Sequence, residues 1–250
     1  MIAVVTGASS GIGAELCRAL DAEGLDSIWL VARRADRLES LASELSTPCV
    51  VIPADLTDRE QLSDLVDRIG SSGERVGYLV NCAGVGRFGD TWELSSDETF
   101  SMIDLNVSAL TEMCRGCIPS MGSGSRIINV CSASAYLPLE RLNVYSATKA
   151  YVRAFCNALR GELKDRGITV LEVSPGWVET DFIPLSRSSG DVPEGVFKHT
   201  VKARDVAVKA VADTKRGKKR SICGSYNILQ VFVCTHMPRV ASCVWRRSLL

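Results

Sequence analysis

The stretch Ile2-Ala-Val-Val-Thr-Gly-Ala-Ser-Ser-Gly-Ile-Gly13 opens the chain and decides its fold. The β-branched run before residue 6 is typical of a strand, and the amphipathic pattern from residue 12 onward is typical of a helix. Glycines at such a junction permit a tight turn and close backbone approach to a phosphate, and the helix N-terminus then faces a pyrophosphate. We therefore predict a dinucleotide-binding turn. Its candidate cofactor contacts are Gly7, Ser9, Ser10, Gly11, Ile12 and Gly13.

The same alternation of short apolar runs and longer amphipathic segments continues to about residue 222. Predicted strands cover residues 2–5, 27–31, 49–52, 78–80, 126–130 and 169–173, with a last short one near 221–223. Predicted helices cover 12–23, 35–45, 58–69, 99–121, 144–166 and 203–214. Several strands are apolar along their length, which indicates that both faces of the sheet are covered. We predict one α/β domain over residues 1–224, a Rossmann-like, doubly wound parallel sheet with helices on both faces and a ligand crevice at the carboxyl ends of its strands.

Composition narrows the classes of function. The formal net charge is 0 and the isoelectric point about 6.7, which gives no electrostatic signature of a nucleic-acid partner. No apolar run approaches the ~20 residues of a membrane span, and the N-terminus lacks the regions of a secretory signal, so we expect a cytoplasmic protein. Its 10 cysteines should then be free thiols. Cys114 and Cys117 have no second pair to complete a zinc site, so we interpret them as structural and expect no metal.

Two arginines follow the second predicted strand. Arg33 and Arg34 stand where an acidic residue would bind the ribose hydroxyls of NAD, and their guanidinium groups would instead suit a 2′-phosphate. This favours NADP(H) over NAD(H), although the arginines could also belong to a solvated basic loop. Asp55 and Leu56, after the third strand, are placed to contact the adenine. Asp55 could equally belong to the N-cap region of the next helix.

Polar residues also follow the later strands. Small residues in Asn81-Cys-Ala-Gly84 would let a cofactor pass close to the backbone, so Asn81, Ala83 and Gly84 are candidate contacts. Asn106 lies inside a predicted helix, where an asparagine is costly unless its amide has partners. Ser132 follows the strand 126–130 and is expected to point into the crevice, with Ser134 as the competing hydroxyl.

Tyr145 and Lys149 are four residues apart and therefore share one face of a helix. A phenol has a pKa of about 10 and is a poor acid or base at neutral pH. A neighbouring ammonium favours the phenolate, so we expect Lys149 to lower the pKa of Tyr145 and to make the pair competent for acid–base chemistry near neutrality.

In this order and spacing, the motifs resemble the short-chain dehydrogenase/reductase family over about residues 1–222. The resemblance is carried by the glycine-rich turn 6–13, the Asn-x-Ala-Gly motif at 81–84, Asn106, Ser132, Tyr145 with Lys149, and the segment Pro175-Gly-Trp-Val-Glu-Thr180. There are two mild departures from the family pattern. Cys82 stands where the family commonly has Asn, and Cys131 where it commonly has Ser. Neither departure removes a catalytic group, but Cys131 beside Ser132 raises the hypothesis of sensitivity to thiol reagents.

The resemblance implies a role for each matching residue. Tyr145 would be the general acid in reduction and the base in oxidation, and Lys149 would bind the nicotinamide ribose. Ser132 would hold and polarise the substrate oxygen, and Asn106 would position a water that connects Lys149 to solvent. The nicotinamide end of the cofactor would lie against Pro175, Gly176, Val178 and Thr180, and Asn81, Ala83 and Gly84 would lie under the cofactor.

Two further segments lie outside these motifs. Residues 177–202 are expected to form a substrate flap. In the tail 225–250, an apolar face at helical spacing predicts short helices over the substrate pocket or a neighbouring subunit; its members are Ile228, Leu229, Phe232 and Val233. A peripheral membrane contact is the alternative. The resemblance also implies a homodimer or homotetramer, formed through the helices 99–121 and 144–166.

The expected activity is NADP(H)-dependent interconversion of an alcohol and a ketone or aldehyde, on a small molecule such as a hydroxysteroid or bile acid. A 3-oxoacyl-thioester reductase is an open alternative, and so is a non-catalytic NADP-binding protein of the same fold. The complete set of Asn106, Ser132, Tyr145 and Lys149 argues against the latter, because a binding module needs no acid–base pair.

Overall fold

The computed structural model of the protein describes residues 1–137, 139–187, 197 and 199–237. Seven strands form its main sheet: β1 (Ile2–Thr6), β2 (Ser27–Ala32), β3 (Cys49–Pro53), β4 (Val76–Asn81), β5 (Arg126–Val130), β6 (Thr169–Val173) and β9 (Arg220–Ser221). A separate pair is formed by β7 (Trp177–Glu179) and β8 (Thr200–Lys202). The order of the main sheet is β3-β2-β1-β4-β5-β6-β9, and all its pairs are parallel. The order reverses between β1 and β4, which is where an open α/β sheet binds its ligand.

Helices cover both faces of the sheet. They are α1 (Gly11–Leu20), α2 (Ala35–Glu44), α3 (Arg59–Ser71), α4 (Ser96–Ile103), α5 (Leu110–Cys117), α6 (Asn143–Glu162), α7 (Phe182–Arg187), α8 (Ala203–Lys215) and α9 (Ser225–His236). Alternate residues of β1 serve different cores: Val5 packs with Leu16 and Val206 on one face, and Val4 packs with Met113 and Val152 on the other. The predicted Rossmann-like sheet in a single domain is confirmed.

The glycine-rich turn is held in its shape by close backbone contacts. Gly7 has a φ of +70°, and a Cβ there would lie 2.8 Å from the backbone nitrogen of Ala83. A Cβ on Gly13 would lie 2.1 Å from the carbonyl oxygen of Gly7. A side chain at Gly7 would therefore push the turn away from the segment after β4, and one at Gly13 would push α1 away from the end of β1, so the turn needs glycine for packing as well as for ligand approach.

The predicted helix 99–121 is interrupted in the structure. After α4 comes a π-helical segment, Asp104–Ala109, and α5 is followed by a 3₁₀ turn, Ile118–Ser120. Asn106 lies within the π-helical segment, fully buried, and its amide makes hydrogen bonds outside the helix. The wider turn accompanies these bonds, a feature that the 3.6-residue apolar pattern does not reveal.

The C-terminal helix buries one face against the domain and exposes the other. α9 turns Asn227, Val231 and Cys234 inward. Of the predicted apolar face, Val233 packs against the core, whereas Ile228, Leu229 and Phe232 are exposed, and their packing on a neighbouring subunit stays a prediction. Residues 188–196, within the predicted flap, and 238–250, which hold the rest of the predicted tail, lie outside the described residues. Among the helices that the structure describes, none is long and apolar enough to cross a bilayer.

Candidate active site

A cleft of about 520 Å³ opens at the carboxyl ends of the central strands. Its volume lies within the range typical of ligand pockets. It brings together most of the predicted site residues: Gly7, Ser9, Ser10, Gly11, Ile12, Arg33, Arg34, Asp55, Leu56, Ala83, Gly84, Ser132, Tyr145, Lys149, Pro175, Gly176, Val178 and Thr180. Gly13, Asn81 and Asn106 lie behind this lining, where they shape or support it.

Tyr145 and Lys149 occupy the reactive end of the cleft, on one face of α6. Their residues are only 8% and 4% exposed. The Lys149 Nζ donates a hydrogen bond of 2.9 Å to the carbonyl oxygen of Val130, at the end of β5, and lies 5.6 Å from the centre of the Tyr145 ring. The sheet therefore fixes the ammonium beside the phenol.

Burial sets the titration of this pair. It raises the pKa of Tyr145 well above that of an ordinary phenol, against a lowering by a hydrogen bond from Ser132. It also lowers the pKa of Lys149. The expected net lowering of the Tyr145 pKa is not found in this structure, because the loss of solvent around the buried phenol raises it.

Ser132 begins the 3₁₀ turn Ala133–Tyr136, and its hydroxyl accepts a hydrogen bond of 3.1 Å from the backbone N–H of Ser134. The Ala133 N–H donates to the carbonyl oxygen of Pro175, which joins this turn to the segment after β6. Ser134 also lines the cleft, and its buried hydroxyl has no hydrogen-bond partner among the described residues. Both serines thus remain at the site, and Ser132 is the one whose hydroxyl lowers the pKa of Tyr145.

The Asn106 side chain makes hydrogen bonds to the segment that follows β4. Its Oδ1 accepts from the Val85 N–H, and its Nδ2 donates to the Val85 carbonyl oxygen and to the Thr148 hydroxyl, over 2.8 to 3.1 Å. Both amide protons are therefore used. A Cβ on Gly84 would lie 3.1 Å from the Asn106 Oδ1 and 3.4 Å from the Lys149 Nζ, so this glycine allows the two groups to approach the cleft floor.

The opposite end of the cleft carries cationic and hydroxyl groups. The Arg34 Nη2 donates to the Ser9 and Ser10 hydroxyls over 3.1 and 3.0 Å, and thereby fixes a guanidinium at the first turn of the fold. Arg33 is more exposed and lies 3.8 Å from Asp55. Asp55 also accepts hydrogen bonds from Thr57, whereas the N-cap of α3 is Asp58.

These residues fit a dinucleotide. Gly7 lets the first turn pack against the backbone of Ala83, and Gly84 lets the side chains of Asn106 and Lys149 reach the floor of the cleft. Phosphate-type ligands prefer donors of the kind that Arg34 and the two serines supply at one end. A nicotinamide would find the buried hydroxyls of Ser132 and Tyr145 at the other end.

Comparisons with known proteins agree with this geometry. The sequence profile of the short chain dehydrogenases matches residues 1–189. The chain is also 34% identical over 220 residues to an uncharacterized oxidoreductase of Staphylococcus aureus (strain MRSA252), an alignment that covers 84% of this chain and 95% of the relative. The protein belongs to the short-chain dehydrogenase family.

Solved structures of other short-chain dehydrogenases superpose well on this one. A short-chain dehydrogenase from Sphingobium yanoikuyae in complex with NADPH has 28% identity and a TM-score of 0.79, over 88% of this chain and 87% of that one. A short chain dehydrogenase/reductase from Burkholderia phymatum in complex with NAD has a TM-score of 0.81 over 93% of this chain and 92% of that one. At 21% identity, the second shows the fold alone. Structures similar to this short-chain dehydrogenase therefore include complexes with each of the two nicotinamide cofactors.

A buried carboxylate supports the reactive end of this short-chain dehydrogenase. Glu172 on β6 is 0% exposed and accepts hydrogen bonds from the Tyr136 hydroxyl and, over 2.6 Å, from the Ser174 hydroxyl. Arg160 and Arg220 lie 3.9 and 3.6 Å from its carboxylate. Tyr136 ends the turn that starts after Ser132, so Glu172 ties that turn to the segment that leads to Pro175.

Asp181 is the second site residue that sequence reasoning missed. It follows Thr180 and lies on the cleft wall, where its carboxylate is 2.7 Å from the Arg37 Nη1 and 3.6 Å from the Arg34 Nη1. The only local signal was the position of Asp181 beside a motif residue. Its partners could not be read from the pattern, because Arg37 is 144 positions away.

In the part of this short-chain dehydrogenase that the structure describes, the cysteines are free and are buried or half-buried. Burial raises the pKa of Cys131 to about 12, and its thiol donates to the Lys149 carbonyl oxygen. The hypothesis that Cys131 confers sensitivity to thiol reagents loses its physical basis, because the thiolate is the reactive form. Cys114 and Cys117 are fully buried in α5, in line with a structural role. No group of three or more His, Cys, Asp or Glu in the described part of the chain could hold a metal ion.

The basic run 215–220 is largely neutralised by acidic residues. Lys215 lies 2.9 Å from Glu23, and Lys218 lies 2.8 Å from Asp213. Arg220 faces Glu172. These pairs tie the end of α8 and the start of β9 to the body of the domain, which explains the basic composition of this connection in structural terms.

Proposed function

We propose that the protein is an NADP(H)-dependent oxidoreductase that interconverts an alcohol and a ketone or aldehyde. The observation that carries the proposal is that one cleft joins the Arg34 guanidinium and its two serines at one end to Tyr145, Ser132 and Lys149 at the other. When bound, the nicotinamide supplies or accepts the hydride, and the protein supplies orientation and proton transfer.

The proton-transfer role falls to Tyr145. A raised pKa makes the phenol a weak acid, so donation of its proton to the substrate oxygen during reduction depends on stabilisation of the phenolate by the Ser132 hydroxyl and by the Lys149 ammonium beside the ring. In oxidation the same oxygen takes the proton from the alcohol. The Ser132 hydroxyl, oriented by the Ser134 N–H, holds the substrate oxygen beside the phenol.

Lys149 and Asn106 are assigned supporting roles. Lys149, held by the Val130 carbonyl, presents its ammonium to the nicotinamide ribose and to the Tyr145 ring. Asn106 holds Val85 and Thr148 in place. A water held by the Asn106 side chain has to use the remaining lone pair of its Oδ1, because both protons of its side-chain amide are occupied.

The preference for NADP(H) over NAD(H) rests on Arg33 and Arg34. Arg34 is fixed by Ser9 and Ser10 at the phosphate end of the cleft. The 28% identical structure from Sphingobium yanoikuyae, a complex with NADPH, supports the same preference. The cytoplasm, where NADPH is available and thiols stay reduced, is the proposed location, in line with the free cysteines.

The substrate is proposed to be an apolar ketone or secondary alcohol such as a hydroxysteroid or bile acid. Apolar and aromatic side chains dominate the cleft around the two catalytic hydroxyls: Val85, Leu139, Leu142, Trp177 and Phe182. The Phe182 ring lies 5.5 Å from the Tyr145 ring, so it closes one side of the reacting position. Such a lining favours burial of a hydrophobic body with its oxygen at Tyr145.

A substrate panel tests the function. Purified protein is mixed with NADPH, or with NADH as the paired control, and with ketosteroids, oxo bile acids, acetoacetyl thioesters or small diketones, and oxidation of the nicotinamide is followed by absorbance. We expect turnover with NADPH and an apolar ketone to exceed that with NADH. Turnover only with the thioester would replace the substrate class. NADPH binding without turnover on any member would favour the non-catalytic alternative.

We also propose that the protein is a homo-oligomer, a dimer or a tetramer. Phe100 on α4 is 60% exposed and Tyr151 on α6 is 40% exposed. The Tyr151 ring stacks on Phe155 and its hydroxyl contacts Thr111 of α5, so these helices present one apolar surface. Light scattering on the wild type and on Tyr151→Asp should show an oligomer and its dissociation. A monomeric wild type would contradict the proposal.

A further inference from the structure

An ion-pair cluster spans the nucleotide end of the cleft. Asp181 lies at the start of the segment that leads into α7, and it meets Arg37 of α2 at 2.7 Å and Arg34 at 3.6 Å. The hydrogen bond from Arg37 lowers the pKa of Asp181, so the carboxylate is charged at working pH. Arg34 is thus shared between this carboxylate and the hydroxyls of Ser9 and Ser10.

Packing, in addition to charge, holds Asp181 in this place. Its neighbour Thr180 lies against the glycine-rich turn, where a Cβ on Gly11 would come within 2.8 Å of the Thr180 Cγ2. The Thr180 hydroxyl accepts from the Phe182 N–H, which fixes the backbone on the other side of Asp181. Neutralising the carboxylate therefore leaves the wall of the cleft in position.

We propose that Asp181 is a specificity-determining residue whose carboxylate competes with a 2′-phosphate for Arg34 and Arg37, and so weakens the preference for NADP(H) over NAD(H). The inference rests on the proposed nicotinamide-cofactor function. A 2′-phosphate that reaches Arg34 comes close to Asp181, and two like charges at one guanidinium repel each other. A nucleotide without this phosphate leaves the ion pairs of Asp181 intact.

The size of the effect follows from exposure. The side chains of Arg34, Arg37 and Asp181 are 40%, 47% and 49% exposed, so solvent and salt screen their interactions. Exposed ion pairs contribute little individually. We therefore expect the loss of this one carboxylate to change the discrimination about two- to fivefold.

The test compares two fragments of the cofactor by titration calorimetry on the full chain. The probe 2′,5′-ADP carries the 2′-phosphate, and 5′-AMP lacks it. We expect Asp181→Asn to raise the ratio of the two affinities about two- to fivefold through tighter binding of 2′,5′-ADP, with 5′-AMP unchanged. Increasing salt should reduce this gain.

Asp36→Asn is the matched control. Asp36 lies in the first turn of α2, beside Arg37 in sequence, and is exposed. Asp36→Asn removes one negative charge from the same region and leaves the ion pairs of Asp181 intact. The ratio of the 2′,5′-ADP and 5′-AMP affinities in this variant should therefore match that of the wild type. A ratio in Asp181→Asn equal to the wild type, or lower, would overturn the proposal.

The same titrations separate this inference from the proposed function. A wild type that binds 2′,5′-ADP no better than 5′-AMP would refute the NADP(H) preference. A raised ratio in Asp181→Asn would still support the role of Asp181. Failure of the wild type to bind either nucleotide would overturn both.

Discussion

The two ends of the cleft are built on opposite physical principles. At the reactive end, Tyr145 and Lys149 are less than a tenth exposed, and Glu172 behind them is fully buried. At the nucleotide end, the Arg33 and Asp181 side chains are 76% and 49% exposed. Where water is excluded, removal of a single polar atom has a large effect on stability, because a buried polar group left without a hydrogen-bond partner strongly destabilises the fold. Where water enters, charges are screened and a substitution shifts affinity by small steps.

The largest effect is expected from Tyr145→Phe, which removes one oxygen from the buried end. If Tyr145 transfers the proton, kcat/KM should fall by about 10²–10⁴ while the dissociation constant of NADPH stays within a factor of about two. Steady-state kinetics and cofactor titration measure the two quantities. The matched control is Tyr151→Phe, which removes a hydroxyl from the exposed face of the same helix and should leave kcat/KM intact. Equal losses in both variants would contradict the role of Tyr145.

Glu172→Ala should be the most destabilising change at the reactive end. It leaves Arg160 and Arg220 without their buried counter-charge and the Tyr136 hydroxyl without its acceptor. Each of the buried Tyr136 and Ser174 hydroxyls that loses its acceptor should cost about 1–3 kcal/mol, and urea unfolding would measure the total.

Tyr136→Phe removes only the hydroxyl through which Tyr136 donates to Glu172. We expect the free energy of unfolding to fall by about 1–3 kcal/mol. Its kcat should fall further than its affinity for NADPH, because the turn next to Ser132 loses an anchor. The exposed Glu162, at the end of α6, supplies the control in Glu162→Ala. A Glu172→Ala protein as stable as this control would remove the distinction between the two ends.

The contrast also marks how far sequence reasoning reaches. The sheet and the glycine-rich turn were predictable because strand runs and the spacing of Gly7, Gly11 and Gly13 are local patterns. Glu172 was not, since one carboxylate in an apolar strand has no periodicity and its partners come from distant segments. The expected lowering of the Tyr145 pKa was not found, for a related reason. A spacing of four identifies Lys149 as a neighbour but says nothing of how much solvent remains around the pair.

Lys149→Met probes the cost of burying a charge at the reactive end. Because burial lowers the pKa of Lys149, the folded protein holds the ammonium less readily than the unfolded chain does. Between its lowered pKa and its ordinary value of about 10.4, the unfolded chain binds more protons, so the wild type gains stability as pH rises through that window.

The free energy of unfolding of Lys149→Met minus that of the wild type should therefore be highest below this pH window and should fall as the pH rises to the upper limit of the window. Urea unfolding at several pH values measures this difference. A difference independent of pH would show that Lys149 is not held at the expense of its solvation.

The smallest effect is expected from Arg33→Ala at the nucleotide end. The Arg33 guanidinium is mostly exposed and lies 3.8 Å from Asp55, so part of its charge is already balanced. NADPH binding should weaken less than about fivefold at low salt and change little at high salt, because exposed pairs contribute at most ~1 kcal/mol.

Arg34→Ala should weaken binding more, since Arg34 also fixes Ser9 and Ser10. Arg204→Ala on the exposed surface of α8 controls for the loss of one positive charge. Loss of NADPH binding by Arg33→Ala at every salt concentration would contradict this prediction. The exposed nucleotide end would then depend on a single group as strictly as the buried reactive end does, and exposure would not explain the difference between the two ends.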